Sequence, residues 1–336
     1  MANAFGYSYA EGGVSGAAGV TGSLEWDNVQ AMYSEIVGDL AVYFNNMVLL
    51  PNPSLIAMNY PIQGAVGNTV KIPVQRSYEP AKKVGEATDI IPEFANDLHT
   101  DSELLNVYKR AAGTFISSEA VEDGGSSVVT SQVVNQLAQS MAQATDIAGF
   151  QVLLTGDEQE VVAGVPQYDS SAISTDIGKV GTGTGTADYC LVMSPQAAAY
   201  ASKRAPSVNM DADINADGWV TTGTTRNGFA VVRPEFIVAM ESTAGSAGDI
   251  MVEHIAEAVA ILRSQNAPTG ADGNYVGVLN PWQEYALNKE LATNGGSFIQ
   301  NPSNIGNQTL ATGSIGTLMG VTFYRSNNLP QGITVA

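Results

Sequence analysis

In Gly67-Asn68-Thr69-Val70-Lys71-Ile72-Pro73 a Gly-Asn turn runs directly into alternating apolar residues. This pattern predicts a short strand over Thr69 to Val74. A second strand is predicted over Leu104 to Phe115. The polar stretch between the two strands, Gln75 to Glu103, has few apolar side chains to bury. Together they predict an extended hairpin that projects from the body and lies on another surface. A plain solvated loop is the alternative, although loops of this length without a role are uncommon.

The same hairpin concentrates charge. Residues 71 to 110 hold six of the 14 basic residues of the chain, interleaved with seven acidic ones. Lys82 and Lys83 are followed closely by Glu86 and Asp89.

A long helix is predicted after the hairpin, from Val128 to Leu154, about seven turns or roughly 40 Å. Ser126 and Ser127 are its capping candidates, and Gly156 ends it. One face carries its apolar stripe, formed by Val133, Leu137, Met141, Ala144 and Ala148. An earlier stripe at helical spacing runs from Leu24 to Val48 and ends before Pro51.

The C-terminal half contains a second amphipathic helix, Met251 to Ser264, closed by Asn266 and Pro268. It also contains two similar apolar strands, each of which runs into a proline that can open a helix. These are Tyr189 to Met193 before Pro195, and Tyr275 to Leu279 before Pro281. Each of these strands is followed later in the chain by a second segment, and the two segments, Gly228 to Ile237 and Gly320 to Leu329, are also similar to each other. The pattern predicts a duplicated strand, helix and returning strand, and chance similarity of short β patterns is the alternative.

Composition restricts the classes of function. The chain has 336 residues and a formal net charge of −19, with no Lys or Arg in its first 70 residues. Phosphate neutralisation needs clustered Lys and Arg, so the sequence argues against nucleic-acid or anionic-membrane binding. It contains one cysteine, which excludes an internal disulfide framework. No signal peptide or membrane span is evident, which predicts a chain made in the cytoplasm and left unprocessed.

Candidates for catalysis are few. His99 lies in the acidic hairpin and His254 on a helix with a core-like face, where each is expected to make a local hydrogen bond. Cys190 lies within an apolar strand, where a free thiol is usually inert. The run Gly181 to Thr186 alternates Gly and Thr but lacks the lysine and the glycine order of phosphate loops. The sequence therefore predicts no enzyme and no bound cofactor.

One segment has the spacing of a metal site. Asp213-Ile214-Asn215-Ala216-Asp217-Gly218-Trp219-Val220 matches the first eight positions of an EF-hand calcium loop, with oxygen ligands at positions 1, 3 and 5. Thr224 stands at the twelfth position, where a bidentate Glu is expected. Asp213, Asn215 and Asp217 are therefore candidate ligands of a weak calcium site, and an ordinary acidic turn is the alternative.

The order of these pieces resembles the major capsid proteins of tailed bacteriophages, whose fold is shared by encapsulins and the herpesvirus capsid floor. The resemblance is carried by the ordered set of N-terminal helix, Gly67 to Pro73, the charged hairpin around Lys83-Val84-Gly85-Glu86, and Ala111 to Glu119 leading into the long helix. The C-terminal third adds Asn280-Pro281-Trp282 and the stretch Ile315 to Val321. The set covers most of the chain, and each motif is weak by itself.

The resemblance implies an α+β fold with five parts. These are an N-terminal arm (1–59), an extended loop with flanking strands (60–110), a peripheral domain with a spine helix (111–164), an inserted β-rich segment or duplicated unit (165–248), and an apical domain (249–336). The extended loop would lie across a neighbouring subunit, which makes Lys82, Lys83, Glu86 and Asp89 the expected interface residues. Segment 165–248 has no clear counterpart in the family, and part of it could instead supply strands that the chain lacks after Leu329.

The implied function is a structural protein that self-assembles into hexamers and pentamers around a phage genome. Expected partners are other copies of itself, a separate scaffolding protein, a portal protein and possible decoration proteins. The shell would enclose DNA without sequence-specific binding, and no membrane contact is expected. A shell interior that does not bind phosphates agrees with the net charge of −19. The expected location is the virion, after synthesis and assembly in the host cytoplasm. An encapsulin-type shell is the main alternative, and a secreted calcium-binding surface-layer or adhesin protein is another.

Overall fold

The computed structural model describes residues 40–62 (except 41, 43 and 46), 67–75, 100–124, 126–156, 173–181, 186–213, 217–243, 250–298, 316–329 and 333–334. The strands are β1 (Met58–Pro61), β2 (Thr69–Gln75), β3 (Thr100–Asn106), β4 (Tyr108–Ser117), β5 (Gly178–Val180), β6 (Thr186–Met193), β7 (Ala198–Asp213), β8 (Gly218–Val231), β9 (Ile237–Thr243), β10 (Tyr275–Leu279), β11 (Thr317–Leu318), β12 (Val321–Arg325) and β13 (Ile333–Thr334). The helices are α1 (Ser118–Gly124), α2 (Ser126–Thr155), α3 (Val252–Ser264) and α4 (Pro281–Phe298). This mixture of helices and largely antiparallel sheets confirms the α+β class. No helix in these ranges is long and apolar enough to span a membrane.

The predicted long helix is confirmed as α2, which lies on a four-stranded sheet of order β1-β7-β8-β4. The helix and sheet approach closely at Gly223, where an added Cβ would lie 3.1 Å from the Met141 methyl carbon. Leu137 and Met141 of the predicted stripe are buried beside Leu40, which belongs to the N-terminal helical stripe. Ala144, predicted on the same face, is instead exposed. After α2, Gly156 has a φ of 87°, a left-handed value that suits a residue ending a helix.

The hairpin stem is confirmed, with one correction to its second strand. β2 and β3 pair antiparallel over seven positions from Thr69–Asn106 to Gln75–Thr100. The predicted strand Leu104 to Phe115 is two strands, because the chain changes partner at Val107. Before this residue β3 pairs with β2, and after it β4 pairs with β8. The Val107 N–H donates instead to the Asn68 carbonyl at 2.8 Å, which holds the crossover point.

The larger sheet has the order β11-β12-β10-β6-β9-β5, and β13 pairs with β6. The two strands that look alike in sequence are neighbours in it, since Val278 of β10 lies opposite Leu191 of β6. The predicted second amphipathic helix is confirmed as α3, and its buried face packs in the same core as these strands. Strands from segment 165–248 lie in both sheets: β7 and β8 in the smaller one, and β5, β6 and β9 in the larger one.

The predicted duplication is wrong at its helix. Pro281 opens α4, but the residues after Pro195 form a turn and then the long strand β7. The difference is a capping box, since the Gln283 N–H donates to Asn280 Oδ1 at 2.8 Å and the Asn280 N–H donates to Gln283 Oε1 at 3.1 Å. Ala197 occupies the equivalent position, three residues after Ser194, and its methyl side chain cannot accept a hydrogen bond as Gln283 does. Its N–H closes a turn onto the Ser194 carbonyl at 3.0 Å.

Candidate assembly surface

The expected interface residues Lys82, Lys83, Glu86 and Asp89 lie outside the described residues. The stem that leads to them is described, and it rests on the body of the protein. Its inward face packs against Ala199, Ala201, Ala230 and Val232 with four buried side chains: Ile72, Val74, Leu105 and Val107. The expectation that the hairpin projects without an intramolecular surface is therefore wrong for the stem. The opposite face is exposed, and Leu104 on it is 54% exposed.

The stem and sheet touch backbone to backbone at Gly228. A Cβ on this residue would lie 1.9 Å from the Asn106 carbonyl oxygen and 3.2 Å from Val107 Cα. Only glycine leaves room for the chain to cross from β3 to β4 over β8 at this distance. The first glycine of the repeated sequence piece therefore has a packing role.

Beside the stem, three cations form a row across three adjacent strands. Lys109 of β4 lies opposite Arg226 of β8, and Arg226 lies opposite Arg204 of β7. They lie on the face away from α2, because Gly223, which contacts α2, is three residues from Arg226 and so points to the other side. Lys109 and Arg204 are exposed, and Arg226 is half-buried. We call Lys109, Arg226 and Arg204 the cation row.

The turn before β2 fixes the row to the base of the hairpin. Arg226 donates from its terminal guanidinium nitrogen to Asn68 Oδ1 at 2.7 Å. Lys203, next to Arg204 in the chain, donates to the Gly67 carbonyl. Arg204 itself donates to Thr224 Oγ1 at 3.2 Å. Neutral oxygens thus orient the cations without cancelling their charge.

The row carries uncompensated positive charge within the described part of the chain. No carboxylate of the described residues forms an ion pair with Lys109, Arg204 or Arg226. The Nε–H of Arg226 is buried there without a hydrogen-bond acceptor. Like charges opposite each other on neighbouring strands are destabilising. This face of the sheet therefore concentrates positive charge among the described residues.

Two of the candidate calcium residues, Asp213 and Asp217, flank the connection between β7 and β8. Asp213 lies opposite Gly218 at the end of the ladder, Asp217 has a φ of 46°, and Asn215 is outside the described residues. The Asp217 carboxylate accepts a hydrogen bond from the Ser118 hydroxyl at 3.1 Å, which ties the turn to the start of α1. Among the described residues no group of three His, Cys, Asp or Glu side chains is placed to hold a metal ion. The calcium site stays a prediction.

The residues considered for catalysis have structural surroundings. His254 Nδ1 accepts the Met251 N–H at 3.1 Å, the local hydrogen bond that was expected. Cys190 is fully buried, and this burial raises the pKa of its thiol far above the usual value. A thiol that stays protonated is a poor nucleophile. His99 lies outside the described residues.

Solved structures similar to this chain are phage shells and a virus-like particle. The procapsid of bacteriophage JBD30 is 10% identical, with a TM-score of 0.49 over 90% of this chain and 98% of that chain. The capsid of the same phage is 9% identical, with a TM-score of 0.48 over 83% and 91%. A virus-like particle from Pyrococcus furiosus is 8% identical, with a TM-score of 0.39 over 62% and 98%. Comparisons with protein-family models and with curated proteins find no match.

Sequence reasoning missed the cation row. Lys109 and Arg226 are 117 residues apart in the chain, with Arg204 between them, and only the strand register brings the three together. The available signal was the shortage of cations, since the chain has 14 Lys and Arg residues against 33 Asp and Glu. A pair such as Lys203-Arg204 in so acidic a chain could have been singled out.

Proposed function

We propose that this protein is the major capsid protein of a tailed bacteriophage, which assembles into hexamers and pentamers around the genome. The observation that carries the proposal is the packing of the β2–β3 stem and α2 on opposite faces of one small sheet, followed by a second sheet with α3 and α4. This is the order of hairpin, spine helix and apical unit that the sequence resemblance implies. The stem is held on the sheet by its inner face, and its outer face, with Leu104 54% exposed, is available to a neighbouring copy.

The cation row gives the hairpin of a neighbouring copy a complementary surface. Residues 84 to 101 contain five carboxylates and no Lys or Arg, and the carboxylates are Glu86, Asp89, Glu93, Asp97 and Asp101. Complementary charge across an interface fixes register and excludes wrong partners, and like charges brought together cost several kcal/mol. We infer that the acidic run of one copy lies against the cation row of the next.

The remaining parts of the proposal follow from a shell role. The protein would reside in the virion after assembly in the host cytoplasm, with a separate scaffolding protein, a portal protein and possible decoration proteins as partners. It would enclose DNA without sequence-specific binding, because a chain with a net charge of −19 has few cations to neutralise phosphates. The role requires no catalytic residues.

Self-assembly tests the proposal. The chain, expressed with its proposed scaffolding protein, should form closed shells of hexamers and pentamers in electron micrographs. Shells that contain DNA in an infected host agree with the capsid role, whereas shells filled with a single host enzyme would replace it with the encapsulin alternative. A chain that stays monomeric with full helical content under these conditions contradicts both.

Charge reversal tests the interface. Lys109→Glu with Arg204→Glu reverses two charges of the cation row and sets them against the acidic run of the next copy. Lys82→Glu with Lys83→Glu leaves that run intact and replaces the two lysines that precede it, which the resemblance places on the neighbouring subunit, by carboxylates that meet a chain of net charge −19. Each pair should abolish or strongly reduce shell formation while the monomer stays folded by circular dichroism. Lys179→Glu, an exposed residue on β5 of the larger sheet, is the matched control and should assemble normally. Normal shells from both double variants would refute the interface while leaving the shell function in place.

A further inference from the structure

β4 forms one edge of the small sheet. In the described part of the chain it pairs with β8 alone, over ten positions from Tyr108 to Ser117 without a register shift. The Ser118 N–H donates to the Asp217 carbonyl at 3.1 Å, in register with this ladder. Antiparallel strands bond to each other at every second residue. The even-numbered residues of β4 therefore bond to β8, and the odd-numbered ones direct their N–H and C=O groups away from it.

The outward-bonding residues of β4 are also exposed. They include Lys109, Ala111, Gly113 and Phe115, and the Phe115 side chain is 45% exposed. Residues 111–117 contain no charged residue and no proline. Natural edge strands are usually protected by such residues or by bulges, because a straight, uncharged edge is a template for another strand. The edge of β4 therefore has the properties of a strand that is covered in the native protein.

The N-terminus of the chain contains a segment with the pattern of a covering strand, Ala4-Phe5-Gly6-Tyr7-Ser8-Tyr9-Ala10. It has no charge and no proline, and its three aromatic residues stand at alternate positions, which places them on one face of an extended chain. No other segment outside the described residues has three alternating aromatic residues. Aromatic side chains on neighbouring strands attract each other, so the exposed Phe115 suits this segment.

The chain is long enough to bring this segment back to β4. The first described residue, Leu40, lies in the same buried cluster as Ile116 of β4. If the predicted helical stripe continues over residues 24–39, that part is about 24 Å long. Residues 11–23 reach up to about 43 Å when extended, which exceeds this length. The segment and the edge therefore belong to one copy without strain, and a tether of this length gives them a high effective concentration.

We propose that residues 4–10 add a fifth strand to the small sheet of their own copy, hydrogen-bonded to the free edge of β4, with Phe5, Tyr7 and Tyr9 on the face that carries Phe115. The added strand accepts the outward N–H groups of β4 and prevents this edge from pairing with the edge of another copy. It is a property of the single subunit and does not depend on the proposed shell function.

Residue-resolved hydrogen exchange of the full, unassembled chain tests the proposal. Tyr7→Pro removes a backbone donor and breaks the added strand. It should accelerate exchange at Ala111, Gly113 and Phe115 by at least about tenfold, because these N–H groups lose their acceptors. The Ala112 and Thr114 amides donate to β8 and should be unchanged, which makes them the internal reference.

The matched control is Val14→Pro, the same substitution outside the proposed strand, and it should exchange as the wild type does. Dilution of the wild-type protein should leave the protection unchanged, since the segment and the edge belong to one copy.

Three outcomes overturn the proposal. Ala111, Gly113 and Phe115 amides that exchange at intrinsic rates in the wild-type protein would show an uncovered edge. Protection that persists in Tyr7→Pro would assign the cover to another segment. Protection that falls on dilution would assign it to a second copy. The first and third outcomes are measured on the wild-type protein, so the test stands even where a variant folds poorly.

Discussion

Replacing Gly228 with alanine is expected to separate the hairpin stem from the sheet. The new Cβ would lie 1.9 Å from the Asn106 carbonyl oxygen, 2.9 Å from its carbon and 3.2 Å from Val107 Cα. All three are backbone atoms, so no side chain can rotate out of the way. Ordinary contact at about 3.5 Å requires the two strands to move apart by roughly 1.5 Å.

The cost can be bounded from this displacement. Overpacking typically costs about 1–3 kcal/mol and occasionally more, and a forced backbone shift belongs at the upper end. Replacing glycine by alanine within a strand recovers about 0.5–1 kcal/mol. We therefore expect Gly228→Ala to lower the free energy of unfolding by at least about 2 kcal/mol.

Gly113 of β4 provides the matched control. An added Cβ there would meet its first neighbour, the Thr221 carbonyl oxygen, at 3.6 Å, which is ordinary contact. Gly113→Ala should leave the stability of the unassembled chain unchanged or raise it by up to about 1 kcal/mol. Urea unfolding midpoints of both variants, with the slope m compared with wild type, measure the difference. A Gly228→Ala midpoint equal to that of Gly113→Ala would show that β3 and β4 do not cross β8 at this distance.

Two further predictions concern the spine helix and the calcium turn. Leu137→Asp puts an unpaired carboxylate at a site that is 2% exposed, so soluble yield should collapse, whereas Gln139→Ala on the exposed face should be tolerated; equal yields would contradict the buried stripe. If Asp213 and Asp217 bind calcium, affinity should be weak, about 10⁻⁴–10⁻³ M, because Thr224 replaces the bidentate Glu. Melting of assembled particles should then rise in millimolar calcium relative to chelator, by an amount equivalent to about 1.4 kcal/mol at tenfold excess over Kd, and this rise should vanish in Asp213→Ala with Asp217→Ala. A rise that persists in the double variant, or none in wild type, leaves an ordinary acidic turn.

Local signals in the sequence predicted the elements well. The apolar stripe of α2 and the glycine after it lie within one helix, and the strands β2 and β10 alternate or run apolar within a few residues. The helix predicted after Pro195 is wrong because a single side chain decides whether the helix begins. Gln283 completes the cap after Pro281, and Ala197 stands at the equivalent position after Pro195.

Features that depend on register could not be predicted. The cation row joins residues from distant parts of the chain, and so do the contacts of Asp146 with Leu50 and Asn328. No local pattern gives the partner of a strand. Asp146 nevertheless left a trace, as a lone charge within an otherwise neutral helix of 30 residues. The division of the chain into five parts and the calcium ligands stay predictions.

The parallel pairing of β1 with β7 has a consequence for biosynthesis. Met58 lies opposite Ala199, so about 140 residues must be translated before the first strand meets its partner. At about 5–20 residues per second this wait lasts roughly 7–30 s, during which the strand has an open edge. Nascent chains on one messenger carry the same open edge at the same time. Soluble yield should therefore fall as ribosomes become more crowded on the transcript, and slower initiation of translation should restore it.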